Sequence, residues 1–263
     1  MIPDDDFVDW LFSAATWALN DALDPSVVLG HERPLLPVFE DFPVDGDLQG
    51  HDLALDYLSF VEAHSGTDGW EWALELVPDT QPSVADALAG MAHHMTSAPQ
   101  GGGYEGGGDE LLLVYDPTSV ASPARLVAVL SRGVAHWMCA HAESEPPDGE
   151  EAFDLAVDVA WVLNGFGVFA SNTAFESYAH ESGMMVGWGY RRFGALGQLE
   201  LSYALGLFCE LVESDDREAR AHLSDNPRAW LREARKDLRT RHAERVTRLR
   251  SARLAGDGPY RTG

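Results

Sequence analysis

The sequence predicts an α+β fold that is mainly helical, with a small N-terminal sheet and a central pair of apolar helices. Three observations carry this. Apolar residues recur at helical spacing through 122–141 and again through 150–174; two short stretches, 70–77 and 110–116, have strand character; and an arginine-rich, sparsely apolar stretch closes the chain. With 263 residues and 45% hydrophobic content the chain can bury a full core. We divide it into an N-terminal α+β portion (1–121), a helical core (122–225) and a basic helical tail (226–263), expected to form one domain because no linker-like composition separates them.

Element by element, DDFVDWLFSAATWALNDAL (5–23) places Phe7, Trp10, Leu11, Ala14, Trp17 and Ala18 at helical spacing behind an acidic first turn. Pro34, Pro37 and Pro43 then forbid a continuous helix and predict an extended crossing of the surface. A second helix follows, with Leu53, Tyr57, Phe60 and Val61 on one side. WEWALELV and ELLLVYD read as strands. Between them GGGYEGGGD reads as a hairpin loop or an edge crossing; no Lys-Ser/Thr pair or helix start follows it, so it is not a phosphate loop.

Ser122 is the expected N-cap of the next helix, with Pro123 at its first position. Glu150, Glu151 and Asp154 open the other central helix, as the positive end of a helix dipole favours. The Gly- and aromatic-rich stretch 180–197 reads as a small hairpin, LGQLELSYALGLFCELV as a third apolar helix, and the segment from Asn226 onward as one long basic helix.

Charge is unevenly spread. The formal net charge is −25, yet residues 226–263 hold 11 basic and 4 acidic residues, leaving a body of net −32. Such a body repels phosphates, so nucleic acid is excluded as the main partner except through the Arg-rich tail, and that basic stripe is better read as pairing with acidic body surface. Cys139 and Cys209 sit in apolar helical patterns and read as buried small side chains. No signal segment is evident and no apolar run approaches the roughly 20 residues of a membrane span, so a cytoplasmic protein without a membrane partner is expected.

Chemistry concentrates in SRGVAHWMCAH (131–141) and in the helix after it. His136 lies four residues after Arg132, on the same helix face, and Asp158 lies among Val157, Val159, Ala160 and Trp161. A carboxylate in so apolar a helix needs a partner, and Arg132 is the candidate. His141 lies about 140° around the helix from His136, so the two reach one ion only if the helix ends between them, and the adjacent His93 and His94 point apart.

The run YDPTSVASPARLVAVLSRGVAHWMCAH, followed by EEAFDLAVDVAWVLNGFGVFASNTAF, GWGYRRFGAL and LSYALGLF, resembles an uncharacterised bacterial family related to the zincin metallopeptidases. The resemblance implies a zincin-like core in which a helix carries His-Glu-x-x-His, whose two histidines ligate zinc and whose glutamate activates the bound water. Here the first histidine falls on Arg132 and the glutamate on Gly133; the second histidine is His136 and the third ligand Asp158. Gly165, Gly167 and Asn172 match the segment after the acid, and Gly187, Trp188, Gly194 and Leu196 match the Gly-Trp segment, with Ala195 in place of a tyrosine.

The first zinc ligand and the general base are therefore both missing, and an arginine puts a fixed positive charge where a dication would sit. The resemblance thus implies a vestigial site of Arg132, Gly133, His136 and Asp158, lined by Asp154, Asn172 and Trp188, with no catalytic residue and no cofactor. Were zinc bound, His136 and Asp158 would be its ligands. The expected function is a zincin-like pseudo-metallopeptidase with a protein partner, a second copy of the chain included. The alternatives are a metal-dependent hydrolase with a relocated site around His136 and Asp158, and an interaction protein working through its acidic body or basic C-terminal helix.

Overall fold

The computed structural model describes residues 1–76, 111–182 and 185–254. Helix α1 (Asp5–Trp17) is capped by Asp4, whose Oδ1 accepts from Phe7 N, and widens into a π-type turn over Ala18–Ala22. Helices α2 (Pro25–Gly30) and α3 (Gly50–Ser65) flank the proline-spaced crossing. Asp41 holds that crossing in shape, accepting a two-pronged pair from Arg33 at 2.7 and 2.8 Å and the Leu36 amide at 2.6 Å.

Strands β1 (Trp72–Leu76) and β2 (Leu111–Tyr115) pair in parallel, Leu74 opposite Leu113. Parallel pairing rules out the hairpin reading of their connection, because a hairpin reverses chain direction; the glycine-rich segment, with His93 and His94, lies outside the described residues.

After the short turn α4 (Pro117–Val120) comes the long helix α5 (Pro123–Ala140). Ser122 has extended backbone and its carbonyl accepts from Leu126 N, but its side chain makes no capping hydrogen bond, contrary to expectation. The second central helix is not continuous: α6 (Phe153–Trp161) passes through a π-type turn at Val162–Phe166 into α7 (Gly167–Thr173). Gly165 takes φ +96° there, and a Cβ on it would lie 3.1 Å from His31 Nε2. Its carbonyl accepts from Leu35 N at 2.9 Å, which docks the crossing onto the core. By length and composition the stretch 150–173 would pass for a membrane span, so the expectation that no apolar run approaches that length is corrected; 83% of its most apolar window is buried inside the protein.

Strands β3 (Phe175–Ser182) and β4 (Met185–Arg192) form an antiparallel ribbon that overlaps the expected 180–197 hairpin but begins earlier and ends at Arg192. Helix α8 (Gln198–Leu211) then packs on α7, and the short α9 (Arg217–His222) leads to the tail. That tail is two helices, α10 (Asp225–Arg241) and α11 (Ala243–Leu254), rather than one. The chain bends at His242, whose ring packs 5.8 Å from Phe12.

Apolar residues from Val8 to Leu249 join in one hydrophobic core, with Trp161, Phe166, Phe169 and Phe208 fully buried at its centre. The tail pairs with the acidic body of its own chain. Arg241 reaches Asp5 at 2.7 Å, Arg245 reaches Asp9 at 2.5 Å while its guanidinium lies 4.0 Å above the Phe12 ring, and Arg250 reaches Glu213 at 2.5 Å. Arg235 is buried and joins Glu210, at 2.6 Å, to the Ser214 carbonyl.

Candidate functional site

Helices α5 and α6 pack against each other and bring Arg132 to Asp158. Arg132 Nε donates to Asp158 Oδ1 at 2.7 Å, and its Nη2 lies 3.5 Å from Oδ1 of the more exposed Asp154, one turn earlier on α6. This is the pairing expected for two charges placed in apolar helices. Asp158 is fully buried and Arg132 is 7% exposed. Burial opposes the charge on Arg132, but the Asp158 and Asp154 carboxylates outweigh it and hold its pKa above the ordinary value.

The other oxygen of Asp158 is engaged as well. Oδ2 accepts from the backbone amides of Ala195 at 2.6 Å and Leu196 at 2.7 Å. Gly194 makes that approach possible: its φ is +89°, and a Cβ there would stand 2.8 Å from Oδ2. The turn 194–196 therefore wraps the carboxylate as a small nest of N–H donors. The alanine standing where the resembled family has tyrosine changes none of this, since position 195 contributes its amide.

An aromatic wall lies beside the ion pair. The Arg132 guanidinium carbon sits 5.9 Å from the centre of the Phe193 ring, and Phe193 meets Trp161 edge-on at 5.8 Å. Trp161 Nε1 donates to Ser131 Oγ at 2.7 Å, a second link between α5 and α6. Phe193 and the role of the two amides were not foreseen from the sequence; Gly194 and Leu196, matched in the resemblance, pointed to this turn.

His136 is 5% exposed, edge-on to Phe153 at 5.4 Å and to Trp137 at 6.4 Å. Burial, reinforced by the Arg132 charge and only partly opposed by Asp154, lowers its pKa to about 4, so the ring is neutral near pH 7. Gly133 lies against β2, where a Cβ would come within 2.7 Å of Leu113 Cδ2. The position to which the resemblance would assign a general base is thus a packing contact. Cys139 is buried and desolvation pushes its thiol pKa up, which leaves it poorly suited to act as a nucleophile.

A catalytic zinc site needs three protein ligands and an open position. Among the described residues no three His, Cys, Asp or Glu side chains are grouped to hold a metal ion. Both Asp158 oxygens already have partners, and the neighbouring group on α5 is a guanidinium, which cannot ligate a metal ion, so these residues do not fit zinc. Asn172 does not line the site: its Nδ2 donates to the His222 carbonyl at 2.8 Å and its Oδ1 accepts from Ser224 N at 3.0 Å, which ties α7 to the α9–α10 junction. Trp188 pairs through its backbone with Ala179 in the β3–β4 ribbon, and its side chain lies outside the described part of the structure. Comparison with protein-family models, curated proteins and solved structures returns no match for this chain.

Proposed function

We propose that this chain is a zincin-like pseudo-metallopeptidase of the cytoplasm that works without catalysis, as a binding, regulatory or structural protein with a protein partner. One observation carries the reading: the Asp158 carboxylate, which the resemblance makes a zinc ligand, accepts from Arg132 on one oxygen and from the Ala195 and Leu196 amides on the other. An ion pair takes the place of the ion, and the packing of Gly133 on Leu113 takes the place of the base. The arrangement joins α5, α6 and the 194–196 turn in one geometry, which suits a scaffold.

The test is elemental analysis of the purified protein together with peptidase assays on casein and a mixed peptide library, with and without added zinc. The expected result is no bound zinc and no cleavage. Stoichiometric zinc, with cleavage abolished by His136→Ala, would establish the relocated hydrolase instead.

A further inference from the structure

A second region, away from Arg132 and Asp158, gathers charge of the opposite sign to the body. Between α9 and α10 lies a cleft of about 450 Å³, with Arg220 on one side and Arg232, Lys236 and Arg239 along the α10 side. Asp216 is the one carboxylate in its lining, and no aromatic or aliphatic residue takes part. Asp216 faces Arg220 at 3.2 Å and Arg235 at 3.4 Å.

Three of these cations are not fully engaged within the chain. The ion pair of Arg232 is a loose one, Nε to Glu233 at 3.7 Å, with the side chain 70% exposed. Lys236 is exposed and has no ion pair among the described residues. Arg239 binds Glu210 through Nε and its side chain is 59% exposed. Spaced four and three residues apart on one helix face, these like charges repel one another, and an anion between them relieves the repulsion. Arg220 adds a fourth positive charge at the rim, its Nε 3.2 Å from Asp216 Oδ2. On a chain of formal charge −25, a concave group of cations is the place where an anion is not repelled.

We infer that the α9–α10 cleft binds a small multivalent anion of phosphoryl type, either an inorganic oligophosphate or a phosphorylated small molecule. Guanidinium forks match phosphoryl oxygens in pairs, the ammonium of Lys236 adds a mobile point charge, and several converging cations select more than one negative charge. The volume suits a small molecule. The apolar surface of the cleft comes from side-chain stems, and the groups at their ends are almost all cationic, so charge is the recognition element it offers.

Lys236 is the sole lysine of the chain, which makes the site directly readable. In a chain of this sequence an amine-directed acylating reagent has two targets, Lys236 and the α-amine, and the second serves as internal reference. Inorganic pyrophosphate and glycerol 3-phosphate are the two probes, each compared with chloride at equal ionic strength. Both bind saturably by calorimetry and slow acylation of Lys236 while leaving the α-amine unaffected; the tighter of the two identifies the source as inorganic or organic. Arg232→Glu weakens binding about tenfold or more, the usual effect of losing one charge-assisted hydrogen bond. Arg248→Glu, the same charge change on exposed α11 surface outside the cleft, leaves binding within about twofold. Failure of both probes to bind saturably, or equal weakening by the two variants, overturns the inference.

Discussion

Arg132 and Asp158 face each other across the contact of α5 and α6, Nε to Oδ1 at 2.7 Å, with Asp158 fully buried and held on its far side by the Ala195 and Leu196 amides. One carboxylate thereby joins two helices and the turn that leads into α8. Buried ion pairs contribute little net stability when intact, but removing one partner leaves an uncompensated charge.

Asp158→Asn therefore destabilises the protein by about 3–5 kcal/mol, because Arg132 keeps only the 3.5 Å contact to Asp154. The double variant Arg132→Met with Asp158→Asn loses less than the sum of the two single changes. Urea unfolding of the four proteins in the cycle measures the coupling, and additive losses would show that the two side chains act independently.

Gly194→Ala combines a left-handed backbone with a Cβ 2.8 Å from Asp158 Oδ2. A loss of about 2 kcal/mol or more is expected, seen as a lower midpoint in thermal unfolding. Ala195→Tyr, which changes the side chain and keeps the amide, does not break the hydrogen bond to Asp158.

His136 makes stability depend on pH in a defined window. Its pKa is about 4 in the folded protein against 6.5 for an unperturbed histidine, so between those values the unfolded chain binds a proton that the folded one does not. Stability is fully present above about 6.5, falls as pH drops through the window, and levels off below about 4, a total of roughly 3 kcal/mol. His31, lowered to about 4 chiefly by burial, adds a loss of the same sign. His136→Leu removes about one proton from the pH dependence of unfolding; an unchanged slope between pH 4 and 6.5 refutes the assignment.

In the tail, burial separates one arginine from the rest. Arg235 is 5% exposed, and its removal takes from Glu210 and Asp216 their shared buried partner, leaving them only the more exposed Arg239 and Arg220. Arg235→Met costs about 3 kcal/mol, whereas Arg245→Met, at the Asp9 contact, costs about 1 kcal/mol or less. Raising the salt concentration narrows the difference between wild type and Arg245→Met and leaves the Arg235→Met difference nearly unchanged.

The pairing of Arg132 with Asp158 was legible in the sequence because opposite charges inside apolar helices have few ways to be compensated. The amide donors at 195 and 196 were not, since every residue but proline carries an N–H and no side-chain pattern marks the ones that turn inward. The break at His242 was hidden for a similar reason. No glycine or proline stands there, and the bend accompanies contacts to Phe12, Asp5 and Asp9 from the opposite end of the chain.

Local sequence pattern indicated the main helices and the strands around 72–76 and 111–115, a hairpin in the region 180–197, and a helical, basic tail, because those properties depend on neighbours a few residues apart. Tertiary structure decided that β1 and β2 run parallel, that the basic tail lies against the acidic start of the same chain, and that the Asp158 carboxylate is closed on both sides. Each of these is a contact between segments tens to hundreds of residues apart, such as Ala195 with Asp158 and Arg241 with Asp5. Such contacts arise from packing around the shared core, and spacing along the chain does not encode them.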